Sequence, residues 1–220
     1  MESPEPAGPM RRIGVLAVQG DFEAHERALT KLDCEPIEVK SPPQIASLDG
    51  LIIPGGESTT ISKGLRAYGM EKPVRDFVRS GRPVLGTCAG LIILDRNDLG
   101  LMDIEARRNA FGRQVKSFEA DLSVAGLEGG PLRAVFIRAP WIESWGPGVE
   151  PLAEIDDHLV VARQRNLLVA AFHPELTDDL RFHAFFLTLG DVERRRRRVG
   201  ADGPRRKLVV AGIMRQQARS

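Results

Sequence analysis

"GRPVLGTCAGLIIL", residues 81–94, carries the reading that decides the fold. Pro83-Val84-Leu85 reads as a short buried strand, and the apolar Ala89–Leu94 that follows suits a buried helix. Between them Gly86-Thr87-Cys88-Ala89-Gly90 has the form of a nucleophile elbow, a sharp strand-to-helix turn that projects its central side chain into a cleft at the carboxyl edge of a sheet. Such a turn is strained, and its neighbours two residues away on either side must be small. A helix N-terminus beneath a sulfur also favours the thiolate. A buried structural cysteine in a glycine-rich turn would be spelled with the same letters, so the weight rests on what surrounds it.

Upstream, strand-like and helix-like segments alternate. "IGVLAV" (13–18) is the first strand, and "FEAHERALTKL" (22–32) is a helix with Phe22, His25, Ala28, Leu29 and Leu32 on one face. "PIEV" (36–39) and "DGLIIP" (49–54) are the second and third strands, followed by helices from Thr59 to about Tyr68 and from Glu71 to Ser80. Downstream, residues 101–172 change character: strand-like pieces near 115–120, 132–138, 158–163 and 167–172 are separated by Gly and Pro, which predicts an added, partly antiparallel sheet region. Thr177, with Asp178 and Asp179 behind it, reads as the start of a closing helix, "DLRFHAFFLTL". The alternation predicts an α/β fold of three layers, a mostly parallel sheet flanked by helices.

At 220 residues, 42% hydrophobic and 28% charged, the chain can bury one full core. Two cysteines, Cys34 and Cys88, cannot make a disulfide framework, and without a CxxC pair no metal is indicated; a reducing cytoplasm is the natural setting. No apolar run approaches the length of a membrane span. The Arg11-Arg12 pair precedes too short an apolar run for an export signal. Residues 1–11, with three Pro and two Glu, read as a flexible leader in which Met10 is an alternative start, and residues 12–190 as the domain. Residues 191–220 hold ten Lys or Arg against three Asp or Glu, a basic extension of net +7 that leaves residues 1–190 at −6. It reads as solvated chain, and the absence of an aromatic residue for base stacking speaks against nucleic acid.

A thiol nucleophile needs a base. In "VAAFHPEL" (169–176), Pro174 disfavours helical geometry at His173 and leaves it at the extended end of a strand, again on the carboxyl edge. Glu175 lies on the same side if the segment stays extended, where it would fix the imidazole tautomer. A satisfied structural histidine is the bland alternative. "IIPGGEST" (52–59) follows the third strand; its paired glycines let backbone N–H groups converge on an anion, an oxyanion hole that the N–H of Ala89 would complete. The alternative is a plain turn before a helix capped by Ser58. His25 and His183 sit in helices where packing or surface roles are expected, His158 reads as loop, and Cys34, near the end of the first helix, as a small apolar residue.

Taken together, Gly86-Thr87-Cys88-Ala89-Gly90, His173-Pro174-Glu175 and Pro54-Gly55-Gly56-Glu57-Ser58 resemble the class I (triad) glutamine amidotransferases, a flavodoxin-like fold. Within that family "GVLAVQGDFEAH", "LIIPGGESTT", "RNAFGRQVKSFEADL", "VFIRAP" and "AFHPELT" are most similar to the glutaminase subunits of pyridoxal 5′-phosphate synthases, over about residues 12–190. The resemblance implies that Cys88 attacks the side-chain amide of L-glutamine, that His173 handles the protons and that Glu175 orients His173. It implies further that Gly55, Gly56, Glu57, Arg108, Ile137 and Arg138 hold the glutamine, with Gly55, Gly56 and Ala89 at the oxyanion. No cofactor is implied. The implied partner is a (β/α)₈-barrel synthase subunit in a large assembly with a dodecameric core, which takes the ammonia and orders the loop from Pro54 to Ser58.

Two features depart from the family pattern: the short stretch "LDRNDLGLMD" (94–103) and the basic extension. Neither touches the triad. The competing readings are an amidotransferase domain serving histidine or nucleotide synthesis, which would lack "RNAFGRQ" and "FIRAP", and a non-catalytic protein binding RNA through its arginines.

Overall fold

A computed structural model describes residues 10–111 and 117–190. The chain runs β1 (Arg11–Leu16), α1 (Phe22–Thr30), β2 (Cys34–Val39), a single turn α2 (Pro42–Ile45), β3 (Gly50–Ile53), α3 (Ser58–Ala67), α4 (Glu71–Arg79), β4 (Val84–Thr87) and α5 (Ala89–Leu94). Then come β5 (Ile104–Arg107), β6 (Ser117–Leu122), β7 (Leu132–Ile137), β8 (Trp141–Trp145), β9 (Glu150–Ile155), β10 (His158–Gln164) and β11 (Leu167–Ala170). A 3₁₀ turn at Pro174–Leu176 leads to a helix over residues 181–190, α6.

One sheet follows the order β2-β1-β3-β4-β11-β10-β8-β5, with β9 paired to β10. Its first five strands are parallel, Leu85 of β4 lying opposite Ile52 of β3 and Leu168 of β11. Every residue of β3, β4 and β11 is buried, so these strands read as unbroken apolar runs instead of alternating ones, as central parallel strands covered by helices should. The order β2-β1-β3-β4-β11 is that of a flavodoxin-like sheet, whose direction of winding reverses between β1 and β3. At that reversal the loops leaving two neighbouring strands diverge, and a crevice opens at their carboxyl ends.

The predicted α/β architecture is the observed one, and the added antiparallel region is there: β10 turns back on β11, β8 and β9 pair with β10, and β5 pairs with β8. β6 and β7 form a separate hairpin. Three of these strands, β5, β8 and β9, were not predicted. They are short, carry Glu or Arg on a solvated face, and lack the apolar runs that mark the core strands.

Three local expectations need correction. Asp33 adopts a left-handed conformation (φ 54°) that ends the α1 connection, so β2 opens at Cys34, two residues before the expected Pro36. His158 begins β10 and stacks on Trp141 with ring centroids 3.5 Å apart; it is not in a loop. The closing helix begins at residue 181, not at Thr177: the Thr177 hydroxyl is turned back toward the Pro174 carbonyl, and Asp179 Oδ1 accepts the Arg181 N–H at 3.0 Å in its place. The leader and the basic extension lie outside the described residues, apart from Met10 and Arg11. The short stretch 94–103 is clamped by buried Asp95, whose carboxylate accepts N–H groups from Asn97 (2.8 Å), Asp98 (3.0 Å) and Ala106 (3.2 Å).

Candidate active site

The carboxyl ends of β1, β3, β4, β7 and β11 converge on one cavity of about 710 Å³. Cys88, Ala89, Gly55, Gly56, Glu57, Arg108, Ile137, Arg138 and His173 all line it. Glu175 does not reach the cavity; it is buried behind His173.

Cys88 stands between β4 and α5 with φ 47° and ψ −101°, a backbone conformation that costs on the order of 1–3 kcal/mol. Its neighbours hold it there. The Cys88 N–H donates to the Ala170 carbonyl at 2.8 Å, and the Cys88 carbonyl accepts the Leu91 N–H at 3.2 Å. The flanking glycines have a steric reason: a β-carbon on Gly86 would stand 2.7 Å from the Gly90 carbonyl oxygen, and one on Gly90 would collide with the carbonyl of Ile53. The thiol points into the cavity mouth, with the Ile137 carbonyl 3.8 Å from Sγ.

His173 leaves the end of β11 with φ −106° and ψ 89°, its N–H donating to the Val135 carbonyl of β7 at 2.9 Å. Nδ1 lies 2.7 Å from Glu175 Oε1. Cys88 is the other group acting on the ring, and with Nδ1 engaged by Glu175 the nitrogen left for the sulfur is Nε2. Burial disfavours a charge on His173, but the contacts with Cys88 and Glu175 outweigh it and raise the imidazole to about 10. For Glu175 burial favours the neutral acid, while the neighbouring His25 and the hydrogen bond from His173 prevail and hold the group below its ordinary range. Glu175 reaches His173 from a 3₁₀ turn begun by Pro174, not from the extended segment predicted.

The loop after β3 is fitted to the one after β1. Gly56 sits at φ 146°, where a β-carbon would come 2.6 Å from Gln19 Oε1, and that same oxygen accepts the Glu57 N–H at 2.7 Å. Gln19 was not among the predicted site residues. The one signal for it was a polar side chain immediately after an apolar strand, at the edge where the site lies. Ser58 is the first residue of α3 and not its cap. Across the cavity the Arg108 guanidinium touches Thr59 Oγ1 at 3.3 Å, and Arg138 holds a left-handed φ of 45°. His25 and His183, expected to pack or lie at the surface, are fully buried beside Glu175 and hydrogen-bonded to each other.

A thiol in a strained elbow, an imidazole lining the same cavity, a carboxylate behind the imidazole and a glycine-rich loop form an arrangement suited to acyl transfer through a thioester. The model of the SNO glutamine amidotransferase family matches residues 15–190. The chain belongs to that family. The protein named pyridoxal 5′-phosphate synthase subunit PdxT in Carboxydothermus hydrogenoformans is 51% identical over 183 residues, spanning 80% of this chain and 96% of that one. The protein of the same name in Dehalococcoides mccartyi is 53% identical over 188 residues, spanning 81% and 96%. A crystal structure described as a glutamine amidotransferase, 48% identical, superposes with a TM-score of 0.77 over 81% of this chain and 98% of its own. A glutamine amidotransferase from Thermotoga maritima, 11% identical with a TM-score of 0.56 over 89% of this chain and 86% of its own, shares the fold. Among the described residues no helix is long and apolar enough to cross a membrane.

Proposed function

We infer that this chain is a glutaminase: it hydrolyses L-glutamine to L-glutamate and ammonia, and the ammonia serves the synthesis of pyridoxal 5′-phosphate. The observation that carries the reading is Cys88 and His173 lining one cavity, with Glu175 buried behind His173, in a chain about half identical to proteins named as pyridoxal 5′-phosphate synthase subunits.

In the proposed mechanism Cys88 Sγ attacks the side-chain amide carbon of glutamine. The carbonyl oxygen becomes an oxyanion, stabilised by the N–H of Ala89 and by N–H groups of the Gly55-Gly56 loop. His173 gives its proton to the amide nitrogen, the C–N bond breaks and ammonia leaves, with the glutamyl group held as a thioester on Cys88. His173, now neutral, takes a proton from water; the hydroxide adds to the thioester carbon, the C–S bond breaks, and glutamate departs. Glu175 keeps Nδ1 of His173 protonated so that Nε2 faces the sulfur throughout. Arg108 and Arg138 suit the α-carboxylate, Glu57 the α-ammonium, and the Ile137 backbone the chain between them.

Free ammonia would protonate in water, so a glutaminase of this kind works beside its acceptor enzyme. We propose that this acceptor is a (β/α)₈-barrel synthase subunit, in an assembly with a dodecameric core, and that the compartment is the cytoplasm, where two free cysteines persist. The experiment is glutamate release from glutamine by the wild-type chain and by Cys88→Ala, each with and without the synthase subunit of the same organism. Release that needs both Cys88 and the synthase is the expected result. Release that ignores the synthase would replace the acceptor, and none with the synthase bound would overturn the reading.

A further inference from the structure

Behind the triad a second line of buried polar side chains continues, and the chemistry above makes no use of it. His25 of α1 and His183 of α6 are both fully buried. His25 Nδ1 lies 3.0 Å from His183 Nε2, and His25 Nε2 lies 3.3 Å from Thr87 Oγ1 and 3.3 Å from Glu175 Oε2. Two histidines in a core, 158 positions apart in the chain and packed edge to face, bring a desolvation cost that apolar side chains would not.

The protons can be placed one after another. Glu175 is a carboxylate, so both oxygens accept: Oε1 takes the Nδ1–H of His173, and Oε2 faces His25. His25 is kept neutral chiefly by burial. Its one proton then belongs on Nε2, shared between Glu175 Oε2 and Thr87 Oγ1, and its Nδ1 accepts from His183 Nε2–H. His183 is neutral too, lowered to about 3 by burial, and its Nδ1, which has no hydrogen-bond partner, is the bare nitrogen. Glu175 Oε2 has no well-aligned hydrogen bond from any described residue, so His25 is the donor nearest to satisfying it. Around His25 the facing groups are Thr87 from β4, Glu175 from the 3₁₀ turn and His183 from α6, with His173 and Asp21 acting on it electrostatically. Among the described residues no three side chains are arranged to hold a metal, so the cluster is not an ion site.

We propose that His25, backed by His183 and Thr87, is a positioning residue: its Nε2–H holds Glu175 Oε2 so that Oε1 is presented to His173 and the Cys88–His173 pair stays aligned. The proposal rests on the glutaminase reading for its effect on turnover, but its effect on the thiol can be read without it. Without His25, Glu175 Oε2 loses the ring N–H that faces it at 3.3 Å, and Glu175 turns or takes up a proton; either change weakens the support of the His173 imidazolium.

The test uses the full chain together with its synthase subunit, in wild type and in the variants His25→Leu, His25→Asn and His25→Gln. Glutamine turnover is measured alongside alkylation of Cys88 by iodoacetamide, followed on the Cys88 peptide by mass spectrometry, with buried Cys34 as the internal reference. His25→Leu is expected to lower kcat by about 10- to 100-fold with KM within about threefold, and to slow Cys88 alkylation at neutral pH by about tenfold. His25→Gln, whose amide N–H reaches the place of Nε2, is expected to stay within about threefold of wild type, and the shorter His25→Asn to behave like His25→Leu. Folded Leu and Asn variants with wild-type kcat and alkylation would overturn the proposal. So would Gln and Asn variants that differ only in proportion to lost thermal stability, and this amide pair decides the matter if His25→Leu does not fold. A wild-type protein that releases no glutamate would sink the glutaminase reading alone, since the alkylation series still tells whether His25 aligns the thiol.

Discussion

The backbone of Gly55 lies against the imidazole of His173, so closely that a β-carbon on Gly55 would stand 2.9 Å from Nδ1. The loop proposed to offer N–H groups to the oxyanion and the residue proposed to move the proton therefore share one wall, and a shift in one presses on the other. Gly55→Ala must displace the ring or the loop by a large fraction of an ångström. Loss of glutaminase activity by about 10²-fold, with the melting temperature little changed because the loop borders the cavity and not the core, is the expected outcome in a paired activity and thermal-melt assay.

A methyl group at Gly90 meets harder resistance, since the obstruction is the main chain of β3 at Ile53. Gly90→Ala is expected to lower the free energy of unfolding by about 1–3 kcal/mol and to abolish activity together, because the elbow must open to admit the methyl group. Urea denaturation checks the first effect and glutamate release the second; a stable, active variant would show that the elbow relaxes without penalty.

Glu175→Gln removes a charge and also introduces an N–H₂ between two ring nitrogens, Nδ1 of His173 and Nε2 of His25. His173 Nδ1–H keeps its acceptor only if the amide oxygen takes the place of Oε1, which turns the N–H₂ toward the ring N–H of His25. The His173 tautomer is then contested, and kcat is expected to fall by about 10²- to 10⁴-fold with binding of glutamine preserved. A rise in KM alone would argue that Glu175 serves the substrate and not the imidazole.

Among the described residues the Arg108 guanidinium hydrogen-bonds a neutral hydroxyl, that of Thr59, which suits a cation kept for a substrate carboxylate. Arg108→Ala is expected to raise KM for glutamine by about 10- to 100-fold while leaving kcat within a few-fold. Steady-state kinetics in the complex with the synthase separates the two.

Stability should depend on pH in two opposed ways. His183 is held neutral in the folded chain, at about 3 against 6.5 when unfolded, so between those values acid favours the unfolded chain by up to about 1.4 kcal/mol per pH unit. His173 is raised to about 10; its contribution is complete below 6.5 and is lost as the pH climbs toward 10. Urea denaturation at about pH 5, 6.5 and 9 is expected to find the maximum in the middle, with His183→Leu flattening the acid arm and His173→Gln the alkaline one. Unaltered slopes in both variants would assign the pH dependence to other groups.

The elbow and the parallel core were legible because both are local: glycines two places either side of Cys88 and unbroken Val, Ile and Leu runs say the same thing as the folded backbone. His173 and the Gly55-Gly56 loop were legible because their chain positions, at strand ends, put them on the same edge. What escaped is what depends on long-range meetings. His25 sits on the apolar face of α1 and reads as a packing residue until α6 brings His183 against it. Gln19 acquires its role only when Glu57 arrives from the next loop. The strands β5, β8 and β9 alternate charge with apolar residues over too few positions to separate from loop.

The place of β11 in the sheet fixes the order in which the protein can become an enzyme. Among the described strands it is made last, yet it inserts at the centre, its Leu167–Ala170 pairing with Val84–Thr87 on one side and with β10 on the other. The carbonyl of Ala170 that anchors the Cys88 N–H arrives with it, and so do His173 and Glu175 just beyond. A growing chain on the ribosome thus carries its thiol on an unclosed strand edge, without acceptor or base, through the synthesis of the whole antiparallel region. Cys88, His173 and Glu175 come together in one closing event late in translation, and its cost is slow, non-local pairing that leaves the edge of β4 open to mispairing until then.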